Sequence, residues 1–346
     1  MREITVVIPN YNGMKYLPEC LQALSNQESG TPDFAVLVID NGSADGSVEF
    51  LKEYERKLHE TADTLNDGGD VADGVSITME NCFLPENTGF CHAVNVGIEA
   101  AQTPYVLLLN NDTKPEPGFV KNLYRAIQKD EKIFSVSACM LMWDKPELLD
   151  DAGDRYCALG WACARGKGRP AAAYDRAVPV FSACGGAVIY RKSVFEKIGL
   201  FDEAHFMYLE DLDVGYRARI HGYQNWYEPK ARVLHYGSAS TGSRYNETKT
   251  TYASANNVYV AVKNMPFLQL LLNLPLLLAG FGIKFLFFVK KKMGRTYLKG
   301  LLKGLQKSLS EEGRRKHVAF LWKNLWNYIK IQWELYLGIF QILMKS

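Results

Sequence analysis

The chain has 346 residues, of which 47% are hydrophobic and 23% charged; this supplies a sizeable core and excludes disorder as its main state. Its 40 basic and 38 acidic side chains nearly cancel, yet residues 290–346 hold thirteen Lys or Arg against only Glu311, Glu312 and Glu334. A basic C-terminal piece therefore follows an acidic body. Seven cysteines without a Cys-x-x-Cys pair argue against a disulfide framework or zinc ribbon. The opening MREITVVIPNYN lacks the marks of a signal peptide, so a cytosolic location is expected.

Ile4–Pro9 is an apolar, β-branched run ending in Pro-Asn-Tyr-Asn-Gly, the pattern of a buried strand entering a loop. A helix is expected over Tyr16–Leu24. The run Phe34–Ile39 stops at Asp40-Asn41-Gly42-Ser43, and helical spacing follows through Val48, Leu51 and Tyr54. Residues 57–80 are acidic and rich in Gly and Asp, which predicts an exposed insertion. A short strand near Ser76–Met79, a helix over Ala93–Ala101 and a strand at Tyr105–Leu109 complete the first half. Strands alternating with helices predict an α/β layer on a mainly parallel sheet. Ligands bind such sheets at the carboxyl ends of strands. Three of those ends are Pro9–Asn12, Asp40–Gly42 and Asn110–Asp112, polar loops on apolar strands.

Met265–Ile283 carries no charged residue, and the apolar character resumes after Lys284 until Val289. These 25 residues could span a bilayer. Spanning would, however, separate the basic tail from a cytosolic N-terminal half, against the tendency of basic flanks to stay inside. Pro275, Gly280 and Gly282 instead suggest a broken helix or hairpin dipping into one leaflet. Leu298, Leu301, Leu302, Leu305 and Leu309 then recur at helical spacing beside a row of Lys299, Lys303 and Lys307, as in a helix lying on an anionic membrane. An ordinary helical subdomain is the competing reading. Nucleic acid is not an expected partner, because the basic residues are interleaved with leucines. The expected division is an α/β domain over 1–262 and a membrane-associating helical region over 263–346.

With these loops in view, the chain resembles the family 2 glycosyltransferases of GT-A fold, and especially their bacterial rhamnosyltransferase-like branch. The matching pieces are VVIPNYNG (6–13), VIDNGSADGS (38–47), ENTGFCHAVNVGI (86–98), LLLNNDT (107–113), GGAVIYRKS (185–193), FMYLEDLDVGYRARIHGY (206–223) and VLHYGSAS (233–240). They fall in the family's order. The usual metal-binding Asp-x-Asp element stands here as Asn110-Asn111-Asp112.

The resemblance implies a Rossmann-like, nucleotide-diphospho-sugar transferase fold and transfer from a nucleotide diphosphate sugar to a saccharide acceptor. Pro9, Tyr11, Asn12, Asp40, Asn87, Asn110 and Asn111 would line the nucleotide crevice, although Asp40–Ser43 also reads as a plain turn. Asp112 would bind Mg²⁺ or Mn²⁺; an N-cap or turn aspartate is the alternative. His235 is either a second metal ligand or a packed histidine. Asp211 would be the general base of an inverting displacement, with Glu210 orienting the acceptor, though acids at a helix start can be simple caps. Gly185 and Gly186 would permit close approach at the acceptor side. The family's polysaccharide synthases carry several spans and a Gln-x-x-Arg-Trp element, which Gln224-Asn225-Trp226 does not reproduce. One sugar per encounter is therefore expected, with dTDP-rhamnose as donor by analogy and a lipid-linked acceptor at the cytoplasmic membrane face. A UDP-hexose donor, or a catalytically silent binding module, is the alternative.

Overall fold

The structure is a computed structural model describing residues 2–66, 77–237 and 246–344. The strands β1 (Ile4–Asn10), β2 (Phe34–Asn41), β3 (Ile77–Leu84) and β4 (Tyr105–Leu109) pair in parallel in the order β3-β2-β1-β4. The crossovers are α1 (Leu17–Ser25), α2 (Ser47–Asn66) and α3 (Phe90–Ala100). A proline in the first turn of α1 loses no helical hydrogen bond there and pre-sets its backbone. The segment expected as an insertion is taken up at its ends by α2 and β3, and residues 67–76 lie outside the described ones.

The chain continues through β5 (Thr113–Pro115), α4 (Phe119–Ile127), β6 (Ile133–Met142), β7 (Lys145–Asp151), the hairpin of β8 (Asp154–Tyr156) and β9 (Ala162–Ala164), and β10 (Val178–Val180). Next come β11 (Ala187–Arg191), α5 (Lys192–Ile198), α6 (Glu210–Ile220) and β12 (Gln224–His235). The parallel expectation holds for the N-terminal half. Beyond it, β11 inserts antiparallel between β4 and β6, while β12 runs parallel to β6.

Alternation along β1 builds a core on each face of the sheet. Val6 and Ile8 join Leu21 of α1 and Phe119 and Leu123 of α4, whereas Val7 joins Val94 and Ile98 of α3 and Phe195 of α5. Fully burying such a side chain contributes roughly 1.5–3 kcal/mol.

The C-terminal helices are α7 (Glu247–Asn264), α8 (Phe267–Lys290), α9 (Gly294–Leu309), α10 (Glu311–Arg315) and α11 (Leu325–Leu343). A third core unites Leu212, Tyr216 and Ile220 of α6 with Val260 of α7, Leu277 of α8 and Ile331 and Leu335 of α11. The expected break in α8 does not occur. Pro275 sits on its exposed side, and Gly280 serves contact, since a Cβ there would stand 2.1 Å from the carbonyl oxygen of Leu159. In α9 the leucines 298, 302, 305 and 309 face outward, while Gly300 and Gly304 abut Ser254 and Ala255 of α7 and buried Tyr297 stacks on Phe288 of α8. Lys307 departs from the expected basic row: it turns inward, donating to Asn256 Oδ1 at 3.0 Å.

Candidate active site

Parallel pairing sets Asn10 beside Asp40 at the carboxyl ends of β1 and β2. Asn10 Nδ2 donates to Asp40 Oδ2 at 2.7 Å, and the Ser43 N–H donates to Asp40 Oδ1 at 2.9 Å. Asn111 Nδ2 in turn donates to Asn10 Oδ1 at 2.6 Å. A polar chain, Asn111–Asn10–Asp40, thus crosses three strand ends. Asn12 stands at its rim with φ +51°, donating its N–H to Ser43 Oγ and accepting from Ala44 N, each at 2.8 Å. Pro9 lies within β1 opposite Ile39, and Tyr11 is 43% exposed. Asn87 is exposed, its side-chain oxygen accepting from Asn41 Nδ2 and the Gly89 N–H.

Beside this crevice is a cavity of about 320 Å³ lined by Asn110, Asp112, Gly185, Gly186, Glu210, Asp211 and His235. Seven candidate positions from four separate stretches of sequence therefore meet in one space. Asp40 does not line it and is joined to it through Asn10 and Asn111. Phe90, Met140, Cys184, Met207, Tyr208 and Lys249 complete the wall. None of these six was singled out in the sequence.

Asp112 is buried, with its Oδ1 3.4 Å from His235 Nε2, and the other ring nitrogen of His235 meets Asp150 Oδ2 at 2.7 Å. Burial opposes charge on the imidazole, but the flanking carboxylates of Asp112 and Asp150 win and push His235 up to about 9. Asp150 is conversely held down at about 2: burial would raise it, and His235 and Lys167 outweigh that. Asp150 was also missed by sequence reasoning. Its signal was the Asp150-Asp151 pair closing the apolar end of β7.

The three acids in the first turn of α6 have different fates. Burial, reinforced by the charge of Asp211, pushes Glu210 up to about 8, and its Oε2 has no hydrogen-bond partner. Burial also raises Asp211, but N–H groups of Gly185 (3.0 Å) and Leu212 (2.7 Å) donate to its carboxylate and oppose the rise. Asp213 is buried too, yet Lys263 and Arg217 hold it far below the ordinary carboxylate range. Behind the cavity, burial lifts Asp151 to about 7 and raises Asp154 well above its usual value.

Residues 2–254 match the family described as glycosyltransferase-like family 2. The chain belongs to that family. Among curated relatives, the N-acetylglucosaminyl-diphospho-decaprenol L-rhamnosyltransferase of Mycobacterium tuberculosis is 27% identical over 252 residues, covering 69% of this chain and 78% of that protein. The structure of Staphylococcus aureus TarS 1–349 in complex with UDP-GlcNAc superimposes with a TM-score of 0.56 at 16% identity, covering 95% of this chain and 90% of TarS. GalNAc-T7 with UDP, GalNAc and Mn²⁺ gives a TM-score of 0.56 at 17% identity over 76% of this chain and 48% of its own length. The two structural likenesses establish a shared GT-A fold. The glycosyltransferase thus carries its family's architecture, with the cavity at the carboxyl ends of its strands.

Proposed function

We propose that this glycosyltransferase moves one sugar per encounter, with inversion, from a nucleotide diphosphate donor to a lipid-linked saccharide, and that dTDP-rhamnose is the donor. The observation that carries the reading is Asp211: a half-buried carboxylate gripped by two backbone N–H groups in the same cavity as Asp112 and His235. Asp211 takes the proton of an acceptor hydroxyl while that oxygen attacks the anomeric carbon. The bond from that carbon to the diphosphate breaks on the opposite face, and the nucleotide diphosphate leaves. Glu210, neutral at pH 7, donates a hydrogen bond to the acceptor instead of competing for its proton. The Asn111–Asn10–Asp40 chain offers oxygen and amide groups to the base and ribose. Choice of a rhamnosyl donor follows the mycobacterial relative.

The donor set fits a divalent cation. His235 is oriented from behind by a carboxylate, the arrangement that aims an imidazole nitrogen at a metal. Among the described residues no group of three or more acidic, His or Cys side chains gathers for a metal, so Asp112 and His235 would hold Mg²⁺ or Mn²⁺ together with donor phosphates and water. When bound, such an ion supplies Lewis-acid stabilisation of the leaving diphosphate. Lys249, on the cavity wall, adds positive charge on the same side.

The C-terminal helices suit a leaflet surface. α8 is long and apolar enough to cross a bilayer, but its middle is fastened to the body. Trp161 Nε1 donates to the Gly280 carbonyl at 3.0 Å, and Asn273 bonds Gln332 of α11. Crossing would carry those partners into the hydrocarbon. Lying in plane, α8 offers Leu268, Leu271 and Leu286, α9 its outward leucines, and α11 Trp326, Trp333 and Phe340, all exposed. The neighbouring Lys290–Lys292 cluster suits anionic headgroups.

The test offers purified full-length protein dTDP-rhamnose and a panel of UDP-hexoses with Mn²⁺ and a prenyl-diphosphate-linked saccharide, and reads nucleoside diphosphate release. Rhamnose transfer is expected, and Asp211→Asn is expected to lose about 10²–10⁴-fold in rate while still binding dTDP. Preference for a UDP-hexose would replace the donor assignment. Release with no donor from folded protein would instead favour a binding module, and near-normal turnover by Asp211→Asn would remove the base.

A further inference from the structure

The turn that delivers Glu210 and Asp211 is strained. Phe206, Tyr208 and Leu209 all adopt left-handed backbone, with φ of +61°, +70° and +67°. Residues with side chains avoid that region, because Cβ crowds the neighbouring carbonyl. Three within four positions require an external hold. That hold is Asn256 of α7, a side chain with no solvent exposure. Its Nδ2 donates to the carbonyl oxygens of His205 (3.0 Å), Met207 (2.9 Å) and Tyr208 (2.9 Å). The two N–H hydrogens of one amide thus reach three carbonyls of the turn; His205 O also accepts from the Met207 N–H at 2.7 Å, so the amide matters most for Met207 O and Tyr208 O.

The amide is itself oriented. Lys307 Nζ donates to Asn256 Oδ1 at 3.0 Å, which forces the NH₂ to point at the turn, and Lys307 also donates to the Ala204 carbonyl. On its far side the turn reaches the donor half of the site, where the Phe90 N–H donates to the Phe206 carbonyl at 2.9 Å. Phe90, Met207 and Tyr208 all line the cavity, and the Leu209 carbonyl accepts the first helical bond of α6 from Asp213.

We propose that Asn256 is a positioning residue for sugar transfer: it fixes the 205–209 turn in the conformation that sets Asp211 and the Met207–Tyr208 wall against the acceptor. The proposal rests on the reading of Asp211 as the base. Alanine at 256 takes the amide donor away from the His205, Met207 and Tyr208 carbonyls, leaving His205 O only its bond from the Met207 N–H, and frees the turn to relax toward ordinary backbone. An aspartate would place an acceptor where donors are needed. Displacement of a reacting group by about 1 Å can cost about 10²-fold in rate, whereas Asn256 touches neither the Asn111–Asn10–Asp40 chain nor Asp112.

The experiment compares full-length wild type, Asn256→Ala and Lys307→Met, the latter keeping the amide but removing the group that orients it. Amide hydrogen exchange is followed for peptides covering 203–213 and, as control, 34–41 in β2. Kinetics with dTDP-rhamnose give kcat and donor KM separately. The expected result for Asn256→Ala is exchange at least tenfold faster in 203–213 with β2 unchanged, kcat lower by about 10- to 100-fold, and donor KM within twofold of wild type. Lys307→Met should show the same pattern more weakly, and it decides the matter should Asn256→Ala not fold. Wild-type exchange in 203–213, or faster exchange spread over the whole chain, overturns the proposal. So does an unchanged kcat in a folded variant. Asp211→Asn is run alongside: its retained activity would fail the base assignment alone, because the exchange measurement judges the turn without any donor.

Discussion

The backbone N–H of Gly185 donates to Oδ2 of Asp211 across 3.0 Å, tying the approach to β11 to the first turn of α6. The neighbouring Glu210 receives no such donor at its Oε2. The two adjacent carboxyls thereby differ in proton affinity: N–H donors oppose the rise that desolvation imposes on half-buried Asp211, while buried Glu210 is pushed up to about 8. Environments that separate paired titrating groups divide acid and base roles between them. Here the division falls between consecutive residues of one helix.

Glu210 makes stability depend on pH. Its folded-state value, about 8, lies above the ordinary 4.5, so between those values the folded chain holds a proton that the unfolded chain has released. Stability from this group is therefore greatest below pH 4.5 and is lost as pH rises towards 8. Glu210→Gln removes the titration while keeping the shape. Thermal midpoints of the variant, relative to wild type, should rise progressively from pH 5 to pH 8, and its pH 7 activity should stay within about tenfold of wild type. A constant difference across that range would show that Glu210 is ionised in the folded protein.

In the proposed metal site, Asp150 would act by holding His235 through its 2.7 Å contact and not by touching the substrate. Removing such a carboxylate behind a metal-binding histidine costs about 10–100-fold in metal affinity. Asp150→Asn should therefore raise the Mn²⁺ dissociation constant by that factor, read by titration calorimetry in the presence of dTDP. Asp112→Asn should weaken it further. Metal affinity unchanged in both variants would move the cation elsewhere.

Membrane attachment can be tested on α9, whose exposed leucines leave the catalytic packing untouched. Replacing Leu298, Leu302 and Leu305 by serine together should reduce co-sedimentation with vesicles containing 30% phosphatidylglycerol by more than about 10²-fold, since fully burying each leucine contributes roughly 1.5–3 kcal/mol. Raising salt should weaken wild-type binding through Lys290, Lys291 and Lys292, at about 1 kcal/mol per basic residue. Equal sedimentation of mutant and wild type would point to a solvated helical subdomain.

Much of this arrangement was legible in sequence because apolar runs ending in polar loops mark strand ends locally. Asp40 and Asp112 stand out that way, and Asn10 lies in such a loop without being singled out; Asp211 is picked out by the family resemblance, since its place at a helix start reads equally as a cap. What escaped depends on partners distant in the chain. Asp150 and His235 meet because β7 and β12 both flank β6, 85 positions notwithstanding. The direction of β11 was hidden, since a buried strand reads alike both ways. Pro275 and Gly280 carry the composition of a break; only the surroundings, solvent on one side and the Leu159 carbonyl on the other, reveal an unbroken helix. Asn256 looks like any polar helix position until the turn it holds is seen.

Gly13 offers a test of the nucleotide side alone. A Cβ at that position would stand 1.9 Å from Asn111 Nδ2 and 2.2 Å from Asn10 Oδ1, across the hydrogen bond that joins them. Gly13→Ala must therefore push the Asn111 amide away, and Asn10 loses the partner that steadies its grip on Asp40. Overpacking of this kind costs typically 1–3 kcal/mol, so a lower thermal midpoint is expected together with roughly tenfold weaker dTDP binding. Adding Asn111→Ala removes the nearer of the two clashes and lets the Asn10 side chain, freed of that partner, turn from the methyl, so the two changes should be non-additive in stability. Nucleotide affinity should not return in the double variant, because Asn10 still lacks its donor. Full recovery of both would mean that the polar chain to Asp40 does not serve the nucleotide, and the crevice role would then fall to the rim residues Tyr11 and Asn12.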